Sequence, residues 1–344
     1  MADAGWDGFS AIDTANCDIV QTYNVGDTQV PGDPGDYNYS STDEGVAIYG
    51  STLYFADAGN DTVAVIDSAT LDPSNYNPAE TLIHVGFDPE DLAVTPDGTQ
   101  LWVADTGPQT GPSSPSGISV ISTATDKVTA NMHLAGGPSE IAFSPSGATA
   151  YVTTAEGLWV INTATRHVIT VIRGLGDPHG VAISPDGKTV YVTNTSAGVV
   201  DVIDAATNGV TGTIKVGEMP WQLVVSRSGG KVYVADADSD AVSVIDTGTG
   251  KVMSTIPDTG DPDTLALTPG GAQLWVGGLT SAIVTVFSTA TDNPVGSINL
   301  GDYGANSGDG YEPTGMVLVS TPTPGAGSAA PARPSSANAD KSRS

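Results

Sequence analysis

One repeated phrase constrains the fold of this chain more than any other feature. Its fullest form is PHGVAISPDGKTVYVTN at residues 178–194. Four further full copies occupy residues 89–105, 138–154, 220–236 and 262–278, a copy with a shortened turn lies at 44–57, and the start of another lies at 313–320. Equivalent apolar positions of successive copies, from Val46 to Met316, are 40 to 51 residues apart. This spacing is the period of a propeller blade.

Each copy resolves into two short strands. Small apolar residues are followed by a turn of the Pro-Asp-Gly type and then by a β-branched and aromatic triplet such as Val190-Tyr191-Val192. A third strand follows, as at 200–204, and then a fourth, as at 209–217, whereas no segment has helical periodicity. The pattern therefore predicts an all-β fold, a seven-bladed β-propeller of four-stranded antiparallel blades.

The two ends of the chain are predicted to close the ring by sharing one blade. Residues 8–26 read as a third and a fourth strand, 313–320 reads as a first strand, and the second strand is missing or degenerate. The remaining blades are predicted near 44–86, 89–136, 138–174, 178–217, 220–258 and 262–301, within a single domain at 1–320. The Pro/Ala/Ser-rich tail at 321–344 is predicted to be disordered.

The phrases resemble the YVTN family of β-propeller repeats, which joins a Pro-x-x-apolar-Ala-apolar-Ser-Pro-Asp-Gly stretch to Tyr-Val-(Thr/Ala)-Asn. Residues Tyr191 to Asn194 match the family's name literally. The resemblance covers roughly residues 8–320 and implies the fold of surface-layer and other exported propellers. It leaves the activity open, because related propellers include binding proteins, lyases, lactonases and redox enzymes.

Composition narrows the partners and the compartment. The chain has 11 basic and 39 acidic residues and a net charge of −28, which disfavours nucleic acid and anionic membranes as partners. No apolar run is long enough for a membrane span, and the single cysteine, Cys17, excludes intramolecular disulfides and cysteine-based metal or redox sites. Few lysines and the tail are typical of secreted bacterial proteins. We expect an extracellular, cell-surface or periplasmic monomer whose leader is absent from this chain.

The candidate site is the ring of residues that follow the aligned prolines, because the first strand of a blade lines the central channel. Repeats preserve fold positions by sameness, so positions that differ between blades are candidates for function. The ring reads Glu44, Glu90, Ser139, His179, Trp221, Asp263 and Thr314. The residues next to them are Gly45, Asp91, Glu140, Gly180, Gln222, Thr264 and Gly315.

Two long loops, 27–43 and 302–312, should emerge at the same channel mouth. Their aromatic members are Tyr37, Tyr39, Tyr303 and Tyr311. Tyrosines combined with aspartates suit sugars or polar peptides, although they can also pin a long loop to a blade. Aspartates or asparagines such as Asp57, Asp105 and Asn194, which follow the second strands, are interpreted as caps of tight turns.

Two functions fit these features. The first is an exported scaffold that binds a small molecule, glycan or protein through Trp221, Gln222 and the four loop tyrosines. The alternative is a divalent-metal-assisted lyase or hydrolase, with His179, Glu44, Glu90 and Asp263 as catalytic residues. In that alternative Glu44, Glu90 and Asp263 would hold Ca²⁺ or Mg²⁺, the cations that oxygen ligands favour. Adjacency of blades predicts two separate pairs, Glu44 with Glu90 and His179 with Trp221.

Overall fold

A computed structural model describes residues 2–4, 8–13, 18–24, 45–68, 81–107, 116–258, 260–278, 280–299 and 312–316. In strands before residue 45 and in 312–315 the description is of the backbone. The strands, numbered in chain order, form four-stranded antiparallel sheets. Two 3₁₀ turns, Ala58–Asn60 and Ala237–Ser239, follow second strands.

Among the described residues, six blades are built from four consecutive strands each. Blade I comprises β4 (Val46–Tyr49), β5 (Thr52–Asp57), β6 (Thr62–Asp67) and β7 (Thr81–His84). Blade II comprises β8 (Pro89–Val94), β9 (Gln100–Asp105), β10 (Gly117–Ser122) and β11 (Lys127–His133). Blade III comprises β12 (Pro138–Phe143), β13 (Thr149–Thr154), β14 (Gly157–Asn162) and β15 (Val168–Ile172).

The next three blades repeat this order. Blade IV comprises β16 (Pro178–Ile183), β17 (Thr189–Asn194), β18 (Val199–Asp204) and β19 (Gly209–Lys215). Blade V comprises β20 (Pro220–Val225), β21 (Lys231–Asp236), β22 (Ala241–Asp246) and β23 (Lys251–Pro257). Blade VI comprises β24 (Pro262–Leu267), β25 (Gln273–Gly278), β26 (Ser281–Ser288) and β27 (Pro294–Asn299).

The prediction of a seven-bladed propeller was wrong, because the described chain forms six blades of four consecutive strands and a composite sheet beside them. That sheet has the order β28 (Glu312–Gly315), β1 (Ala2–Ala4), β2 (Gly8–Asp13) and β3 (Asp18–Asn24). The number of repeat phrases equals the number of blades only where each phrase contains both a first and a second strand. The copy at 313–320 is cut short, and the three-residue β1, for which the sequence has no repeat phrase, takes the second position.

The first strands of blades II to VI share a backbone irregularity that directs the candidate site residues. In blade IV, Pro178 pairs with Asn194 while Val181 pairs with Val192, so the first strand carries one extra residue. Proline is accepted at the first position of a strand, and a bulge bends the strand and re-aims its side chains. His179 and Gly180 occupy this bulge, which explains why the residues after the proline reach the channel mouth.

The core lies between neighbouring blades. Side chains of the second and third strands, such as Leu101 and Ile121 of blade II, pack with Val63 and Val65 of blade I and are buried. Trp102 and Phe143 of blade III form a T-shaped aromatic pair, with ring centres 5.4 Å apart and planes at 85°. Each blade thus buries its faces against its neighbours, which leaves the channel end of the first strands available for polar side chains.

Candidate functional site

A cavity of about 100 Å³ lies where the first strands begin, and we call it the mouth cavity. All six blades contribute to its lining, together with Met316 beyond β28. The lining residues are Gly45, Val46, Glu90, Asp91, Ser139, Glu140, His179, Trp221, Gln222, Asp263, Thr264 and Met316. The cavity therefore gathers the ring that the sequence singles out and the residues next to it.

The structure places the predicted site residues in two groups. Glu90, His179, Trp221, Gln222 and Asp263 all line the mouth cavity. The predicted residues Glu44, Tyr37, Tyr39, Tyr303 and Tyr311 lie outside the described residues. The predicted pairing can therefore be compared with the structure only for His179 and Trp221. The catalytic and ligand-binding roles of the predicted site residues stay predictions.

His179 and Trp221 form a stacked pair in the wall of the cavity. Their ring centres are 3.8 Å apart and their planes are tilted by 30°. The pair is held through the backbone, because Thr193 accepts a hydrogen bond from Gly180 N at 2.7 Å and donates one to Trp221 O at 2.7 Å. A Cβ atom on Gly180 would lie 2.5 Å from Trp221 O, so only glycine allows this approach. The carbonyl oxygen of His179 accepts a further hydrogen bond from Thr153 Oγ1 at 2.6 Å.

In blades II, III and V the second residue after the proline joins one blade to the next. Asp91 Oδ2 accepts from Ile141 N, and Glu140 Oε2 accepts from Val181 N, both at 2.8 Å. Gln222 Oε1 accepts from Leu265 N at 2.6 Å. The sequence analysis gave Gln222 a ligand-binding role and gave Asp91 and Glu140 none. Their signal was a polar residue, or glycine, at the same repeat position in each blade.

The enclosed environment shifts the pKa values of the cavity's titratable groups. Burial raises the pKa of Asp91 to about 6. Burial, followed by the charge of Asp91, raises the pKa of Glu140 well above its ordinary value. Burial lowers the pKa of His179 to about 4, so the imidazole is neutral at pH 7. His179 Nδ1 is enclosed and has no hydrogen-bond partner among the described residues.

Buried acids at the ends of second strands have a structural explanation instead. Asp105 accepts hydrogen bonds from Ser119 Oγ at 2.6 Å and from Gly86 N at 3.1 Å, which ties the linker between blades I and II to blade II. Burial raises its pKa to about 7. Asp57 caps the turn that follows it, because its carboxylate accepts from Asn60 N at 3.1 Å. Carboxyl groups with raised pKa values therefore also occur in this protein outside the lining of the mouth cavity.

The chemistry of the cavity is that of carboxylates, one amide and an aromatic pair. No group of three or more His, Cys, Asp or Glu with metal-binding geometry occurs among the described residues. Since Glu44 lies outside them, the predicted set of Glu44, Glu90 and Asp263 stays a prediction. The remaining histidines lie away from the cavity: His84 and His133 are on the outer strands β7 and β11, and His167 precedes β15.

Comparison with protein families identifies the chain's relatives. The model of the choice-of-anchor I domain matches residues 9–241, which is more than half of the 344 residues. This chain belongs to the choice-of-anchor I family. The match extends from the composite sheet into blade V and so includes most of the mouth cavity. The finer resemblance of this choice-of-anchor I chain to YVTN repeats stays a prediction.

Solved structures share the fold of the choice-of-anchor I chain. Hydrazine synthase of Kuenenia stuttgartiensis aligns with a TM-score of 0.67 and 22% identity, over 84% of this chain and 92% of that chain. A functionally unknown protein from Desulfotomaculum acetoxidans DSM 771 aligns with a TM-score of 0.60 and 18% identity, over 74% and 79%. At such identities the likeness shows the fold alone. Comparison with curated proteins gives no match.

Within the described part of the chain, none of the helices has the length and apolar character needed to cross a membrane.

Proposed function

We propose that this chain is an exported propeller scaffold that binds a polar ligand, a glycan or a protein, at the mouth of its central channel. The observation that carries the proposal is the mouth cavity itself. The blades repeat one another in strands and turns, yet they contribute unlike side chains here, among them Glu90, His179, Trp221 and Asp263. A scaffold that holds unlike groups around one cavity is the usual design of a repeat protein's binding face.

Export is supported by the family and by the composition. The family's description, a choice-of-anchor domain, points to attachment at a surface. A net charge of −28 with few basic residues suits a protein that stays soluble outside the cell.

The test of the binding face is an array of glycans and peptides probed with the parent protein, Trp221→Ala and a control. Trp221 forms one wall of the cavity. Tyr49 is a matched aromatic control, because it is 44% exposed and lies at the hairpin between first and second strands, at the opposite end of the blade. The proposal expects hits that Trp221→Ala loses and Tyr49→Ala keeps. Identical hits for the parent and Trp221→Ala would contradict it.

The second candidate, a divalent-metal-assisted lyase or hydrolase, is favoured by one observation. Asp91 and Glu140 are acidic neighbours on adjacent blades, and their mutual repulsion is the condition under which carboxyls share a proton or recruit a cation. The test is thermal unfolding in EDTA and then in Ca²⁺ or Mg²⁺, for the parent and Glu90→Ala. Binding to the folded state raises the midpoint. An unchanged midpoint in the parent with both cations would contradict this candidate.

A further inference from the structure

The charge of the mouth cavity has one sign. Four carboxyl groups line it, those of Glu90, Asp91, Glu140 and Asp263, and neither lysine nor arginine is among the lining residues. The other titratable side chain among the described lining residues is His179, which is neutral at pH 7 because burial lowers its pKa to about 4. Charges interact more strongly in a partly desolvated site than in water. A ligand group that enters the cavity is therefore favoured when it is cationic.

Two of the four carboxyl groups, those of Asp91 and Glu140, lie on adjacent blades and would gain from a cation. Asp91 and Glu140 each have one oxygen bound to a backbone N–H of the next blade, and neither carboxyl forms a salt bridge within the described residues. Gln222 Nε2 approaches Glu140 Oε1 at 3.5 Å, a long contact that leaves this oxygen weakly bonded. A cation that enters the cavity therefore meets two carboxyl groups on adjacent blades.

The aromatic wall gives an independent indication of a ligand. Trp221 is the side chain whose ring face attracts cations best, and a neutral histidine stacked on it adds no repulsion. His179 Nδ1 is enclosed without a hydrogen-bond partner among the described residues, which is unusual for a buried polar atom. The acidic cluster is thus combined with an aromatic surface rather than with solvent-exposed turns.

The size of the cavity limits how wide the cationic group of a ligand can be. Its volume of about 100 Å³ is below the range of roughly 300–1,000 Å³ that holds a whole small molecule. An ammonium on a narrow alkyl stem fits such a space, whereas a sugar ring is wider. The remainder of the ligand would lie on the rim, where the linkers before β8 and β20 expose Phe87 and Met219 by 48% and 37%.

We infer that the mouth cavity binds the ammonium group of an unbranched primary amine, namely a lysine side chain of a protein partner. This inference rests on the proposed function and names the ligand group that the same site takes. The carboxyls of Asp91 and Glu140 hold the ammonium, Trp221 covers it, and the rim contacts the partner's surface.

The experiment uses small probes and NMR titration of the tryptophan indole resonances, with Trp221 assigned through Trp221→Phe. The probes are Nα-acetyl-lysine methylamide, its neutral isostere Nα-acetyl-norleucine methylamide, and glucosamine as an amine on a ring. The lysine derivative is expected to shift the Trp221 resonance with an affinity at least about tenfold above that of either other probe. Equal affinity for the norleucine derivative would overturn the inference that the cavity binds a cation. Equal or higher affinity for glucosamine would overturn the inference that the ligand group is a lysine side chain. Absence of binding by all three overturns the inference.

A matched pair of variants assigns the effect to the cavity. Glu140→Gln is expected to fold, because Gln222 already makes the same bond to the next blade with an amide oxygen. Glu156→Gln removes one carboxylate from an exposed turn, where Glu156 pairs with Arg173 at 2.9 Å. Affinity for the lysine derivative should fall about tenfold in Glu140→Gln and less than about twofold in Glu156→Gln. Equal losses would overturn the inference.

Failure of the inference is distinguishable from failure of the proposed function. If no amine binds but array hits still depend on Trp221, the face binds a ligand of another chemistry. If neither amines nor array ligands depend on Trp221, the proposed function fails as well.

Discussion

Replacing Asp105 by asparagine should stabilise this protein at alkaline pH and leave it nearly unchanged in acid. Asp105 is 4% exposed, and burial raises its pKa from 3.8 to about 7. The folded state therefore binds a proton that the unfolded chain has lost, so stability falls as pH rises from about 4 to about 7. At about 1.4 kcal/mol per pKa unit the full shift corresponds to about 4 kcal/mol, an upper bound once relaxation of the buried site is included.

Asparagine can replace the hydrogen bonds of this carboxyl without carrying charge. Its oxygen can accept from Gly86 N, and its amide can donate to Ser119 Oγ, which already contacts Asn131 Oδ1 at 3.2 Å. Blade IV has Asn194 at the equivalent position. Asp105→Asn should therefore raise the free energy of unfolding by ~1–4 kcal/mol at pH 8 and change it little at pH 4.5.

The assay is urea unfolding of the parent, Asp105→Asn and Asp186→Asn at pH 4.5, 6 and 8. Asp186 is an exposed turn residue whose hydrogen bond from Ser184 lowers its pKa. Its contribution to stability is lost as pH falls, so the control should show the opposite pH dependence. A loss of stability in Asp105→Asn that is the same at all three pH values would refute the reasoning, since it would mean that the pKa of Asp105 is the same in the folded and the unfolded state.

Further substitutions test how the aromatic pair is held and whether the backbone at Met219 is strained. Gly180→Ala should destabilise by ~1–3 kcal/mol in thermal unfolding, because its Cβ would meet Trp221 O at 2.5 Å, whereas Gly212→Ala, with open space around it, should not. Thr193→Val should cost ~1–3 kcal/mol by leaving two backbone groups unpaired; a neutral result would contradict the bridging role. Met219→Gly should stabilise by up to ~1 kcal/mol, because Met219 has a φ of 51°; destabilisation would show that its side chain packs on the rim.

The sequence predicted the blades well because each phrase encodes its own local structure. The Ser-Pro-Asp-Gly turn is an example: Ser184 Oγ binds Asp186 Oδ1 at 2.7 Å, and Gly187 has a φ of 71°. Such signals are local and recur with small variations in blades II to VI, whereas the turn of blade I is shortened. The composite sheet lacks them, because Ala2–Ala4 pairs with Glu312–Gly315 from the far end of the chain. A three-residue strand has no periodicity to read. The blade count was wrong because the incomplete phrase at 313–320 was counted as a seventh blade.

The sequence predicted which positions form the candidate site, but not how their side chains contact one another or how deeply they are buried. Disagreement between blades was enough to select Glu90, His179, Trp221 and Asp263. The roles of Asp91 and Glu140 depend on distances to neighbouring blades and on burial, which no repeat pattern contains. Likewise the 3.8 Å stacking of His179 on Trp221 depends on Gly180 and Thr193. In the repeat pattern these two residues are indistinguishable from positions that only maintain the fold.

The most direct measurement of the central claim is the proton exchange that accompanies amine binding at the mouth cavity. Isothermal titration of Nα-acetyl-lysine methylamide at pH 6.5, in two buffers of different ionisation enthalpy, counts the protons. A cation held by Asp91 and Glu140 lowers their raised pKa values, so binding should release protons, affinity should rise between pH 5 and 8, and both effects should shrink in Glu140→Gln. Binding with no proton release, or with proton uptake, would contradict the assignment of the mouth cavity as a cation-binding site.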